Sequence, residues 1–343
     1  MKAIYLNQKT GAESLIFGDM VKPQPKAGEV LVKVHATAIT PTELQWYPTF
    51  HTSSGEPRPF PIVLSHEFSG VIEALGEGVE HFKTGDEVFG LNDWFTNGAQ
   101  AEYCVAPATM PAHKPRLLDH AHAAVVPISA LTAWQGLLEK VKLQVGQRIL
   151  IHGAAGGVGI FAVQLARWRG AHVIATASAA NLDFARTLGA HEVIDYRATR
   201  FENVVRDVDA VFDTVGGETL QRSWNVLKPG GKLVTVASGG AQSGEQRIRD
   251  AFMLVRADSC HLKQIARLID AGELRVSVEA VYPLADARAA YARAQQGKMH
   301  GKIALSIATQ LPHGEAENAA RQVKPHSLER NCIVRRCDTN VLP

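Results

Sequence analysis

Cysteine is scarce in this chain, four in 343 residues. The four are scattered, so a disulfide framework is excluded and a hydrophobic core must hold the fold. Charge of one sign is not in excess either: the formal net charge is +2. That balance offers nothing specific to nucleic acid or to an anionic membrane surface. No apolar run is long enough to span a bilayer. Met1-Lys2-Ala3-Ile4-Tyr5-Leu6 enters a strand-like pattern at once, without the layout of a signal peptide. The expectation is a cytoplasmic protein with no nucleic-acid or membrane partner. The length exceeds that of one ordinary core, which predicts two domains.

What the chain does have is a glycine run in its middle. The apolar stretch Ile149-Leu150-Ile151 reads as a buried strand and meets Gly153-Ala154-Ala155-Gly156-Gly157-Val158-Gly159. An amphipathic segment, Ile160–Ala166, follows directly. A strand, a glycine turn and a helix bring bare N–H groups to a helix N-terminus, where the dipole favours a phosphate. The dinucleotide fingerprint G-x-G-x-x-G maps onto Ala154, Gly156 and Gly159, so its first glycine is an alanine; alone, such a turn is equally an ordinary strand–helix connection. Its surroundings argue for a Rossmann domain. Gly170 fits the helix end, and His172–Thr176, Glu192–Asp195, Val208–Asp213 and Lys232–Val236 read as further strands. Asn181–Leu188 and Leu220–Leu227 read as helices between them. This alternation predicts a doubly wound α/β domain with a parallel sheet.

The first third is different. Gly28–Ala36, Phe68–Gly76 and Phe82–Gly90 read as short strands with glycine turns, the pattern of a small β-rich barrel. Asp119–Lys140 reads as helical. The segments Gly28-Glu29-Val30-Leu31-Val32-Lys33-Val34, Ser65-His66-Glu67-Phe68-Ser69-Gly70-Val71, Lys83-Thr84-Gly85-Asp86-Glu87-Val88, Leu131-Thr132-Ala133-Trp134, Gly153–Gly159, Leu188-Gly189-Ala190, Phe212-Asp213-Thr214-Val215-Gly216-Gly217 and Gly301-Lys302-Ile303 follow one another in a known order. In them the chain resembles the medium-chain dehydrogenase/reductase superfamily, in its quinone oxidoreductase-like branch. The resemblance covers Met1 to about Ile307. It implies a GroES-like catalytic domain over residues 1–120, rejoined by 271–307, and a Rossmann domain over 121–270. It also implies a homodimer. Residues 308–343, with Cys332 and Cys337, lie beyond it and read as a disordered extension.

Zinc members of this superfamily take their ligands from a cysteine after the early strand, the histidine of Gly-His-Glu, and a later cysteine or acid. Here Ala38-Ile39-Thr40-Pro41 occupies the first place, and Ser129 or a neighbour the last. The loop Asn92–Gln100 has no cysteine for a structural zinc. No metal is therefore expected, and a Glu43–His66 hydrogen bond is read as what remains of such a site, now structural. For the cofactor, the second Rossmann strand ends in Ala177-Ser178-Ala179-Ala180-Asn181, without the acid that would bind a ribose and repel a 2′-phosphate. Ser178 and Asn181 supply hydrogen-bonding groups. The resemblance places Tyr196 against the 2′-phosphate, although it also fits as a strand-end residue. NADPH is the expected cofactor. Its expected contacts are Thr132, Ala154, Gly156, Gly157, Val158, Gly159, Ser178, Asn181, Tyr196, Val215, Gly216, Ala237, Ser238 and Lys302, the last of which serves equally well as a domain-stabilising cation. In relatives the segment Phe252–Val255 holds the carboxamide.

Without a metal, the site must position a nicotinamide beside an electron-poor acceptor. That favours quinones and similar conjugated carbonyls over unactivated ketones. An enone reductase is the alternative, and further from it lie a zinc alcohol dehydrogenase and a low-turnover NADPH-binding sensor. Thr40, Trp46 and Tyr47 are expected to line the cleft, Tyr47 as donor to the acceptor oxygen and Trp46 as a stacking surface, and both also read as packing residues. Residues 48–61, rich in Gly, Ser and Pro, read as a mobile flap or an ordinary surface loop. Cys104 reads as core.

Overall fold

The structure is a computed structural model. It describes residues 1–307 apart from 242 and 298, so the extension with Cys332 and Cys337 lies outside the described residues. Five parallel strands form the nucleotide-type sheet. Their spatial order is Glu192–Asp195, His172–Ala177, Arg148–His152, Val208–Asp213, Leu227–Thr235. Ile149, Leu150 and Ile151 are fully buried, as a strand covered on both faces requires. The helices Gly157–Trp168, Leu182–Thr187 and Gly217–Ser223 make the crossovers. The strand order reverses beside Arg148–His152, and the glycine turn leaves the carboxyl end of that strand, where doubly wound folds bind their ligands. The helix ends at Gly170, whose φ of +84° is a left-handed value that glycine adopts without cost.

The second layer is antiparallel for the most part. Strand Glu29–Ala38 is its spine and pairs with Glu67–Leu75, Tyr103–Pro107 and Lys302–Ser306. Lys302–Ser306 pairs in turn with Val278–Pro283, so the end of the described chain runs back into the sheet of the first third. A smaller sheet holds Ile16–Asp19, Lys2–Leu6 and Ile62–Val63. Helix Pro127–Trp134 is buried along its whole length and joins the core that runs from Phe89 and Leu91 to Ile149, Ile160 and Phe212. Each such fully buried Ile, Leu or Phe contributes ~1.5–3 kcal/mol relative to exposure. Cys104 belongs to the barrel core, and burial pushes its thiol pKa up, away from reactivity.

Among the described residues no helix is long and apolar enough to cross a membrane. Two sequence expectations need correction. The fifth parallel strand runs from Leu227 to Thr235 and not from Lys232, and the helix before it covers Gly217–Ser223. In the 48–61 loop the buried Arg58 guanidinium donates to the carbonyls of Pro48 and Thr49 and to Asn97 Oδ1. A buried guanidinium must be hydrogen-bonded, and satisfying it fixes both ends of the loop.

Candidate active site

The glycine turn presents backbone where a side chain would otherwise stand. Gly156 is exposed and caps helix Gly157–Trp168 with no side-chain hydrogen bond. The first-turn N–H groups therefore carry no side-chain cap. Gly157 and Val158 are half-buried beside it. Ala154 and Gly159 do a different job. Ala154 is fully buried, its N–H bonded to Thr176 O at 3.1 Å, and a Cβ on Gly159 would stand 2.0 Å from Gly153 O. These two shape the turn, while Gly156 is its exposed residue. The cradle fits the pyrophosphate of a dinucleotide: uncapped N–H groups, a twelve-residue helix dipole behind them and an exposed Gly156.

The carboxyl ends of the neighbouring strands surround that cradle. Ser178 and Asn181 follow His172–Ala177. Tyr196, 52% exposed, follows Glu192–Asp195, and Arg197 lies over its ring at 5.5 Å. Asn181 Oδ1 accepts from His300 Nε2 at 2.7 Å, and His300 stacks on Phe184. Arg186, the other basic side chain of this end, is spent on Asp183 at 2.6 Å. Val215 and Gly216 follow Val208–Asp213, and Ala237 and Ser238 follow Leu227–Thr235. Asp213, fully buried, holds both turns. Its carboxylate accepts from Val215 N, Gly216 N and Thr235 Oγ1, and Thr235 Oγ1 accepts from Ala237 N. Nothing in the local sequence pattern marked Asp213 or His300 for these roles.

A second polar cluster sits where the barrel meets the glycine turn. The Lys302 ammonium donates to Thr40 Oγ1 at 2.9 Å and to Glu67 Oε1, and Glu67 Oε2 accepts from Ile128 N at the start of helix Pro127–Trp134. Lys302 is 8% exposed, and its stem packs so closely on Gly157 that a Cβ there would be 2.9 Å from its Cγ. The expectation of Lys302 as a cofactor contact therefore meets an ammonium already held by Glu67 and Thr40. Burial pushes its pKa down, to about 7, against the pull of the Glu43 carboxylate.

Behind it the expected Glu43–His66 bond is present, with His66 Nδ1 2.8 Å from Glu43 Oε1 and both side chains buried. Ser65 stands in the family's glycine position with φ +61°, a left-handed value for a residue with a Cβ. Bonds to Glu43, Thr37 and Ala38 hold it there. The cluster does not fit a catalytic zinc. Both His66 ring nitrogens are engaged, Nε2 with Thr96 O at 3.1 Å, and a lysine cation lies on Glu67. Among the described residues no group of three or more His, Cys, Asp and Glu is arranged to hold a metal ion.

The aromatic side chains divide. Trp46 is half-buried and meets Trp94 edge-on at 5.2 Å. Trp94 also packs on His66, and its indole N–H donates to Val255 O at 3.1 Å, joining the barrel loop to the segment 252–255. Trp94 escaped the sequence reading because its partner lies 161 residues away. Tyr47 is 53% exposed, stacked on His51 at 4.0 Å, with its hydroxyl toward Gly55. Thr132 is buried and donates its hydroxyl to Ile128 O within its own helix.

A glycine-turn Rossmann sheet docked on a β-rich domain, with polar groups at their junction, is the layout of a nucleotide-dependent oxidoreductase. Two family models match the chain: an alcohol dehydrogenase GroES-like domain over residues 26–116 and a zinc-binding dehydrogenase domain over 188–305. The mitochondrial NAD(P)H oxidoreductase RTN4IP1 of Mus musculus is 31% identical over 325 residues, covering 81% of this chain and 82% of its own. The quinone oxidoreductase of Coxiella burnetii superposes with a TM-score of 0.82 at 29% identity, over 90% of this chain and 99% of that one. A mycobacterial protein solved with NADPH gives 0.76 at 29% identity, over 90% and 100%. The chain belongs to the medium-chain dehydrogenase/reductase superfamily, and it is an oxidoreductase of that family.

Proposed function

We propose that this oxidoreductase reduces quinones and similar conjugated carbonyls with NADPH and without zinc. The observation that carries the reading is the Lys302–Glu67–Thr40 cluster beside the glycine turn. With a lysine cation on Glu67 and both His66 ring nitrogens engaged, the cluster offers a zinc no ligand set, which favours an acceptor that already draws electrons. A reduced nicotinamide, when bound, supplies a hydride. The chain's own contribution is to hold the dinucleotide at Gly156–Val158, to fix the facing turns through Asp213, and to close the far side with Trp46 and Trp94.

The preference for NADPH rests on the end of strand His172–Ala177. Ser178 and Asn181 stand there without a free acid, since Asp183 is paired with Arg186, and Tyr196 faces the same end. The mycobacterial neighbour, solved with NADPH, agrees with this reading.

The test is a turnover screen of purified protein. NADPH should be preferred over NADH by about tenfold or more in kcat/KM. Quinones or enones should be reduced and unactivated ketones should not. Dialysis against a chelator should leave the rate unchanged. Stoichiometric zinc that leaves together with activity would overturn the zinc-free reading, and turnover of enones alone would narrow the substrate class to those.

A further inference from the structure

We propose that Lys302 is the proton reservoir of this site and that Thr40 passes its proton to the oxygen of the bound acceptor. The proposal rests on the reductase reading above and names the proton path that reading leaves open.

A conjugated carbonyl that gains a hydride must also gain one proton. Its C=O π bond opens, and the oxygen needs a donor. Tyr47, the sequence-level candidate, is stacked on His51 and largely exposed. The alternative is built into the junction. Lys302 donates to Thr40 Oγ1 at 2.9 Å, and an accepting hydroxyl still has its own O–H to give. Thr40 follows the spine of the barrel sheet by two residues and is half-buried, whereas Lys302 behind it is 8% exposed. The ammonium is thus kept from bulk water, while Thr40 is only half-buried. Packing on Gly157 fixes the lysine stem against the cofactor turn itself.

The step balances. The acceptor takes two electrons with the hydride. Its oxygen takes the Thr40 hydroxyl proton, and Thr40 takes one from Lys302 Nζ. Lys302 is left as a neutral amine and recovers a proton from water. Charged groups facing the ammonium are Glu67 in contact and Glu43, which is bonded to His66. From the two helices beside the cluster, Ile128 N binds Glu67, and the Ser129 hydroxyl and the Lys302 stem both approach Gly157. Burial and these carboxylates act in opposite directions, and burial prevails, which eases loss of the proton.

The probe is 4-nitrophenol, a stand-in for the oxyanion, titrated by absorbance into NADP⁺-loaded protein. Wild type should bind the phenolate in preference to the phenol. Thr40→Val, which leaves Lys302 on Glu67, should weaken phenolate binding about tenfold, the scale of one charge-assisted hydrogen bond. Thr40→Ser should retain it, and Lys302→Met should lose it. Affinity for NADP⁺ should stay the same in Thr40→Val. In turnover with a quinone, the alkaline fall of kcat should disappear in Thr40→Val. Equal phenolate binding in wild type and Thr40→Val, no phenolate binding to wild type, or loss confined to Tyr47→Phe would each overturn the proposal. Phenolate selectivity without quinone turnover would support the proton site and sink the substrate reading.

Discussion

Gly156 and Gly159 lie three residues apart and should fail in different ways when given a side chain. At Gly156 the φ is −78°, and an added Cβ would meet only Gly153 O at 3.3 Å. A side chain there asks Gly153 O to yield by only a few tenths of an ångström but covers the N–H groups that face a phosphate. Gly156→Leu should therefore weaken NADPH binding about a hundredfold or more, with a melting temperature near that of wild type. At Gly159 the added Cβ would be 2.0 Å from a backbone oxygen, which has no room to yield. Gly159→Ala should cost stability, ~1–3 kcal/mol by the usual scale of overpacking. Fluorescence titration with NADPH and thermal melts on both variants check the pair. If Gly156→Leu loses stability and keeps its affinity, the outward face of the turn is not the phosphate face.

The elements around the turn act together because one strand end ties two of them. Asp213 closes Val208–Asp213, holds the Val215–Gly216 turn by its N–H groups, and reaches Thr235 at the end of the next strand. Asp213→Asn puts an amide NH₂ against donors that want an acceptor. NADPH affinity should fall about tenfold, and stability by ~1–3 kcal/mol, the cost of unsatisfied buried groups. Unchanged affinity would detach these turns from the cofactor. The same strands show what sequence can and cannot reveal. Glu192–Asp195 and Val208–Asp213 are legible to the residue, since short apolar runs between helical segments have one reading in an alternating fold. Leu227–Thr235 is not, because Pro229, Gly230 and Gly231 signal a turn and conceal its exposed first half. The glycine cradle is local and legible. The proton cluster is not: Lys302 lies 262 residues from Thr40 and 235 from Glu67, and only the return of the chain into the barrel sheet brings them together.

At the scale of the molecule, the buried His152 and the half-buried His120 contribute most to how the fold responds to mild acid. His152 ends the central strand of the parallel sheet, between Thr176 Oγ1 at 3.1 Å and Ser223 Oγ at 3.0 Å. Burial pushes its pKa down to about 3, with Arg222 adding to the effect. His120 opens the helix that packs on the barrel sheet, near Ser69 and Glu87 and 4.4 Å from the His35 ring. Burial and the His35 charge push it down to about 4. In the unfolded chain both titrate near 6.5. Between that value and the folded one, the unfolded chain binds protons that the fold refuses, so stability falls as pH falls through 6.5. His152 costs ~1.4 kcal/mol per pH unit across its window and the half-buried His120 less, while His122, whose pKa the Asp119 hydrogen bond raises, acts in the opposite direction. Carboxylates held down by arginine partners, such as Glu202 at about 2, begin to add to the loss only in stronger acid. Melts at about pH 7.5 and pH 5 should therefore differ by several degrees before any carboxylate is protonated. His152→Gln keeps a neutral hydrogen-bonding side chain between Thr176 and Ser223 and should remove about half of the slope. A melting temperature flat across that interval would mean that these histidines keep their protons in the fold, and at His152 the sheet centre would then have to hold a charge that neither hydroxyl neutralises.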